Sequence, residues 1–264
     1  MLKFIHITDP HLVEEGRALY GHDPGKRFAR CIDSVMAEHA DAVCCVITGD
    51  LAHIGHPDAY RQLAEQCARL AMPVHLILGN HDSRPNFRAR FPQRPTDDNG
   101  FIQYETAIGN YRGLFLDTNE AGTHSGVFCE RRAQWLAQRL ATDNTPVLLF
   151  MHHPAFPLGM PVMDRIALVD NKHLRAALRG HEHRIQQLFF GHLHRPISGT
   201  WRGISFSTLR GTNHQAALNL ADTDDVLGSF EPPQYGVVLI DDDSVIVHLH
   251  DFLDRSERFW LGAA

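Results

Sequence analysis

No apolar run in this chain of 264 residues approaches the ~20 residues that a membrane-spanning helix needs, so no such helix is expected. The opening stretch, "MLKFIHITDPHL", lacks a basic leader and a long apolar core, and no secretory signal is expected. Cysteine is scarce, with Cys31, Cys44, Cys45, Cys67 and Cys129 as the whole set. Their number is odd, no C-x-x-C occurs, and Cys44 and Cys45 are adjacent in an apolar run, where strand neighbours face opposite ways. That excludes a disulfide framework, places Cys44 and Cys45 in the core, and predicts reduced thiols in a cytoplasmic protein. A basic stripe is also missing. Lys and Arg total 25 against 31 Asp and Glu, a net charge of −6 with His neutral, so a long nucleic acid is not an expected partner. Internal repeats and low-complexity linkers are absent as well, and the chain reads as one domain over 1–264. Residues 94–100 and 221–234 read as exposed loops.

Short β-branched or aromatic runs predict strands at 3–8, 42–48, 74–78, 113–117, 146–151, 187–190, 204–208, 235–241 and 244–250. Between the early ones lie helical spacings: Phe28, Ile32, Val35 and His39; Leu63, Cys67 and Leu70; Trp135, Leu136 and Leu140. Asn171 is placed to cap a helix carrying Leu174 and Leu178, with Gly180 as its stop. Strand and helix in alternation predict an α/β fold with largely parallel pairing. "LIDDDSVI" predicts a hairpin turn, with Asp241 to Asp243 as solvated charge.

What the chain has in abundance is histidine, 19 residues, and their placement is not random. The run ending at Thr8 is followed by Asp9-Pro10-His11. The run ending at Thr48 is followed by Gly49-Asp50, and the one ending at Leu78 by Gly79-Asn80-His81-Asp82. Met151 precedes His152-His153, and Phe190 precedes Gly191-His192-Leu193-His194. Five apolar runs thus end in oxygen or imidazole ligands, at the strand edge where open α/β sheets form their sites. If strand geometry persists past Phe190, His192 and His194 face one point, because i and i+2 share a side.

These residue types suit two divalent ions ~3.5–4 Å apart that clamp a phosphorus centre for in-line attack. Two cations need a shared anion, and Asp50 is the natural bridge. Asp9, His11 and His194 complete one set; Asn80, His152 and His192 complete the other. Mixed imidazole and oxygen donors suit Mn, Fe, Co or Zn, whereas an all-oxygen set suits Mg or Ca. A metal-bound hydroxide is then the nucleophile, since coordination brings the pKa of water from 15.7 toward ~7. His81 is placed to give a proton or hydrogen bond to a phosphoryl or leaving-group oxygen. Gly49, Gly79 and Gly191 stand before ligands, where the chain is expected to turn sharply.

The ordered set D-x-H, GD, GNHD, a later H and GHxH resembles the calcineurin-like metallophosphoesterase signature. "TGDLAHIGHPDAY", "MHHPAF", "GHLHRPISG", "GTNHQ" and "VMDRIALVDNKHL" look like the class III cyclic-nucleotide phosphodiesterase and glycerophosphodiesterase branch, over about nine tenths of the chain. Other branches fit less well. His53 stands where purple acid phosphatases carry a Tyr ligand, Ala52-His53-Ile54 replaces the Asp-Arg of Ser/Thr phosphatases, and Asn80-His81-Asp82 replaces the Asn-Arg-Asp usual in UDP-diacylglucosamine hydrolases. The resemblance implies a four-layer α/β/β/α sandwich, with strands from about 235–250 completing the second sheet. It also implies a dinuclear site of Asp9, His11, Asp50, Asn80, His152, His192 and His194, and a dimer or larger homo-oligomer.

The expected activity is hydrolysis of small phosphodiesters: 3′,5′- or 2′,3′-cyclic nucleotides, or glycerophosphodiesters. A silent scaffold on the same fold and a nuclease are the rival readings. The first is opposed by a ligand set with no gaps, the second by the charge. Of the remaining candidates, Asp82 is read as orienting the turn at His81. Pocket lining is weighed for His53 and His56, but they are read as solvated loop residues, and His181 and His183 as surface decoys. His153 is left between a supporting hydrogen bond and plain packing. A pocket role is weighed for His214, and substrate contact from an overlying loop for Met160, Met163 and Asp164.

Overall fold

The computed structural model describes residues 1–262. In chain order it runs β1 (Leu2–Ile7), α1 (Pro24–His39), β2 (Cys45–Thr48), α2 (Pro57–Cys67), β3 (Val74–Ile77), α3 (Arg84–Arg90), β4 (Tyr104–Ile108) and β5 (Tyr111–Phe115). Then come α4 (Glu130–Leu140), β6 (Val147–Phe150), α5 (Pro161–Arg165), α6 (Lys172–Leu178), β7 (Ile185–Phe189), β8 (Ile197–Trp201) and β9 (Ile204–Thr208). The chain closes with β10 (Gln215–Ala216), β11 (Gly228–Ser229), β12 (Tyr235–Ile240) and β13 (Val245–His250). No helix among the described residues is long and apolar enough to cross a membrane.

Local chemistry explains the helix ends. Asp23 caps α1 by accepting from the Lys26 amide at 3.0 Å, and Pro24 supplies a first-turn residue with no amide to satisfy. The helix then buries Phe28, Cys31, Ile32 and Val35, while His39 stays half-buried at its end. His56 is the cap of α2, its Nδ1 accepting from the Asp58 amide at 3.2 Å. Asn171 does precede α6, but its side chain does not cap. Its backbone lies outside the extended geometry of a cap, and its Nδ2 donates to the Ala155 carbonyl at 2.7 Å instead. Gly180, at φ +83°, follows α6 as a left-handed stop.

One sheet has the order β13-β12-β1-β2-β3, the other β4-β5-β6-β7-β9-β8. β1, β2 and β3 are parallel, as are β5, β6, β7 and β9, while antiparallel strands lie on the flanks. The C-terminal strands do not complete the sheet built from the middle of the chain. β12 pairs antiparallel with β1, because the far edge of the N-terminal strand is where a ladder of amides and carbonyls stands open. β4 and β8 were not expected as strands. Both are flank strands with few buried residues, so neither carries an apolar run to announce it.

Alternation sets the layers. Tyr104, Phe115, Phe150 and Phe189 sit in register on four adjacent strands and stack as a ladder, with ring centroids 4.6, 4.7 and 4.9 Å apart. Phe4 of β1 meets Phe150 and Phe189 edge-on at 6.0 and 5.7 Å, which locks the two sheets face to face. The neighbours of the ladder, Leu114, Leu149 and Leu188, point outward to Leu136 of α4 and Leu174 of α6. On the other side, Phe28, Ile32 and Leu63 cover the first sheet with α1 and α2. The fold is therefore an α/β/β/α sandwich, and the carboxyl ends of both parallel sets converge on one rim.

Candidate metal centre

All seven expected ligands meet at that rim, from five separated strand ends. His11 Nε2 lies 2.9 Å from His194 Nε2 and 3.4 Å from Asp50 Oδ2. His194 Nε2 lies 3.5 Å from Asp9 Oδ1. On the other side, His152 Nε2 is 3.4 Å from the same Asp50 Oδ2 and 3.2 Å from Asn80 Oδ1, and His192 Nδ1 is 2.9 Å from Asn80 Oδ1. One carboxylate oxygen thus faces both halves of the cluster.

His192 and His194 do not face a common point. β7 ends at Phe189, so strand alternation no longer applies. Both residues take left-handed backbones, φ +69° and +47°, and serve opposite halves. Asp9, His11 and Asp50 are left-handed too, at +50°, +45° and +48°. Among the described residues only two other non-glycines, Tyr20 and Arg202, have positive φ. Such residues cost on the order of 1–3 kcal/mol each and persist where the surroundings over-determine them. The strain is concentrated where the chain must leave a strand and aim a donor inward.

The glycines before the ligands divide by cause. Gly49 does turn left-handed, at φ +93°. Gly79 does not; a Cβ there would strike the Asp50 carboxylate, so closeness rather than turning requires glycine. Gly191 resembles Gly79, its missing Cβ leaving room for the Thr8 hydroxyl.

Supporting contacts fix which atoms are free. The His152 Nδ1 donates to the Thr48 carbonyl at 2.7 Å, and the His194 Nδ1 to the His214 carbonyl at 2.8 Å. In the neutral rings both Nε2 atoms are then left as lone-pair donors aimed at the centre. Asn80 Nδ2 lies 3.1 Å from His124 Nδ1, which turns Oδ1 inward. Thr8 Oγ1 donates to Asp9 Oδ2 at 2.7 Å, and the His81 amide donates to Asp50 Oδ1 at 2.8 Å. Asp82 lies below this turn, accepting from the amides of Gly79, Leu51 and Ala52 and from the Tyr60 hydroxyl. Burial first, and the Asp50 charge second, push its carboxyl up to about 7.

The electrostatics call for positive charge. Burial would raise Asp50, but the His152 and His11 charges outweigh it and hold the carboxyl well below its ordinary range. Burial raises Asp9, only partly opposed by His194 and His152. Burial would lower His152, yet Asp50 overcomes this and lifts it to about 9. His11 and His192 are driven well down by burial, with neighbouring imidazoles adding to it. Lone pairs face lone pairs and carboxylates across ~3 Å, an arrangement that repels itself unless cations share it. The donor set, imidazole with carboxylate and amide oxygen and no thiolate, fits borderline divalent ions.

A cavity of about 500 Å³ opens above the cluster. His81 lines it, with Nδ1 2.7 Å from the His53 carbonyl and its ring 4.8 Å from that of His11. His53 is not a solvated loop residue. It lines the cavity half-buried, stacks on His81 at 5.0 Å, and sits 3.2 Å from His11 through Nδ1 atoms, because the bend after Asp50 folds back over the site. His214 also lines the cavity, 4.6 Å ring to ring from His194. His153 is buried beneath, bonded to Thr118 Oγ1 at 2.7 Å and packed on His192.

Of the overlying segment, Met163 reaches the cavity, joined by Ile166. Asp164 turns back to accept from the Leu158 and Gly159 amides, and Met160 is buried against Leu193. His181 and His183 lie on the surface turn at Glu182–Arg184, away from the cavity. His124, Tyr20, Val226 and Phe230 also line the cavity; they sit in loops with no strand-end pattern to reveal them.

Residues 2–196 match the family model described as calcineurin-like phosphoesterase. The chain is 41% identical over 264 residues to a probable cyclic nucleotide phosphodiesterase of Rhodopseudomonas palustris, covering 98% of this chain and 96% of that one. It is 32% identical over 226 residues to a glycerophosphodiester phosphodiesterase of Enterobacter lignolyticus, covering 83% of this chain and 80% of that one. A purple acid phosphatase from yellow lupin seeds superposes with a TM-score of 0.69 at 14% identity, over 96% of this chain and 52% of that one, and shares the fold.

Proposed function

The chain belongs to the calcineurin-like phosphoesterase family, and from that premise we propose that it is a phosphodiesterase acting on small phosphodiesters, cyclic nucleotides or glycerophosphodiesters, at a dinuclear site. The observation that carries this reading is the single Asp50 oxygen 3.4 Å from both His11 and His152. Asp9, His11, Asp50 and His194 would hold one ion; Asp50, Asn80, His152 and His192 would hold the other. When bound, Mn, Fe, Co or Zn ions supply Lewis acidity toward phosphoryl oxygen and bring the pKa of water toward ~7.

The chain's own residues do the rest. Thr48 and His214 carbonyls hold the His152 and His194 rings so that Nε2, not Nδ1, faces the centre. The His53 carbonyl accepts a hydrogen bond from His81 Nδ1–H, and the stacked His53 ring supports the imidazole beside the cavity. In its protonated form His81 donates from Nε2 to a leaving-group oxygen. The cavity volume suits a mononucleotide-sized ligand. A silent scaffold would have no reason to hold five left-handed residues around a full donor set.

The test is direct. Strip the protein with a chelator, reload it separately with Mn, Co, Fe and Zn, and assay bis(p-nitrophenyl) phosphate, cyclic AMP and glycerophosphocholine. Turnover that returns only with metal is expected. Silence toward all three diesters with every ion would end the proposal.

A further inference from the structure

The mouth of the cavity has a chemistry unlike its floor. Tyr20 and Phe230 line it, yet they are 59% and 64% exposed, high for aromatic rings at a cavity wall. Each ring packs against an imidazole. Tyr20 rests 4.6 Å from the His214 ring, and Phe230 meets His22 edge-on at 4.7 Å. Among the described residues Tyr20 is also one of the two left-handed non-glycines outside the candidate ligand set, at φ +52°, so its placement is strained. Met163, Ile166 and Val226 extend the same wall. The wall is tied together, because the Arg165 guanidinium bonds Asp222 and the Thr223 carbonyl, joining α5 to the loop between β10 and β11.

We propose that Tyr20 and Phe230 form a platform for a planar ring attached to the phosphodiester, so that this site selects nucleotide-type diesters over aliphatic glycerophosphodiesters. The inference rests on the phosphodiesterase reading above and names its substrate class. Exposed, pre-positioned aromatic faces favour a ligand that covers them, and a heterocycle does so by stacking. A glycerol arm has no such face.

The experiment compares kcat/KM for 3′,5′-cyclic AMP and for glycerophosphoethanolamine, using the full metal-loaded chain. The wild type is expected to favour cyclic AMP. Tyr20→Ala and Phe230→Ala should each lower the ratio of the two values by at least about fivefold, chiefly through KM for the nucleotide, as loss of one base–aromatic stack implies. Tyr20→Phe and Phe230→Tyr, which keep the ring, should retain the ratio. A wild type that favours the glycerol ester, or a ratio that both alanine variants leave in place, overturns the platform while the phosphodiesterase reading stands. Turnover of neither diester by the wild type overturns that reading and the platform with it.

Discussion

His11 and His194, 183 residues apart in sequence, point their Nε2 atoms at each other across 2.9 Å. His194 spends its Nδ1 proton on the His214 carbonyl, so its Nε2 has only a lone pair to offer. The pair is satisfied by a cation between them or by a proton. Metal ions should therefore stabilise the fold measurably. A ligand present at 100 times its Kd adds about 2.7 kcal/mol. In thermal melts, Mn or Zn should raise the Tm of chelator-treated wild type, and His194→Ala should blunt that rise.

Asp50→Asn tests the bridge. It keeps shape and volume but removes the charge that both halves share. Its activity should fall by more than about 100-fold, the upper end for losing a mere supporting partner of a ligand. Circular dichroism should remain that of the wild type, and metal content by atomic absorption should drop.

His81→Ala should separate leaving groups. Loss of a general acid costs roughly 10²–10⁴-fold. That cost applies to cyclic AMP and glycerophosphodiesters, whose leaving alkoxides need a proton. Bis(p-nitrophenyl) phosphate expels a stable phenolate and should suffer far less. Equal losses on both kinds of substrate would point to a positioning role instead.

His6 predicts an acid weakness. It is fully buried in β1, bonded at 2.9 Å to Thr48 Oγ1, and burial drives it down to about 3. The unfolded chain binds the proton more readily, near 6.5, so this contribution to stability is complete above that pH. It is lost as pH falls from 6.5 toward 3, by up to about 1.4 kcal/mol per unit. Urea titrations at pH 7.5, 6 and 5 should give a shallower pH slope for His6→Gln than for the wild type.

Phe4→Ala should destabilise the protein by about 3–5 kcal/mol, because the ring fills the space between the sheets and the edges of Phe150 and Phe189 lose their partner. Urea unfolding measures it.

The candidate site was legible because each candidate ligand follows closely on an apolar run: Asp9 and His11 after β1, Asp50 after β2, Asn80 after β3, His152 after β6, and His192 and His194 after β7. Local periodicity finds such strands, and at three of the five ends (Gly49, Gly79 and Gly191) a glycine with a donor behind it marks the turn. The residues that escaped, Tyr20, His124 and Phe230, lie in loops whose positions depend on contacts far along the chain. His53 was misjudged for the same reason: exposure of a loop residue depends on what folds over it. β4 and β8 were missed because flank strands bury too little to leave an apolar pattern.

By itself, then, the sequence determined the alternating elements, the order of the donors and the kind of ion they suit, since residue type and spacing act within a few residues. Only the tertiary structure decided that β12 closes on β1, that His192 and His194 leave strand geometry for left-handed backbones, and that aromatic rings frame the cavity mouth. Those facts depend on backbone dihedrals past the strand ends and on packing between segments more than a hundred residues apart, neither of which local sequence pattern encodes.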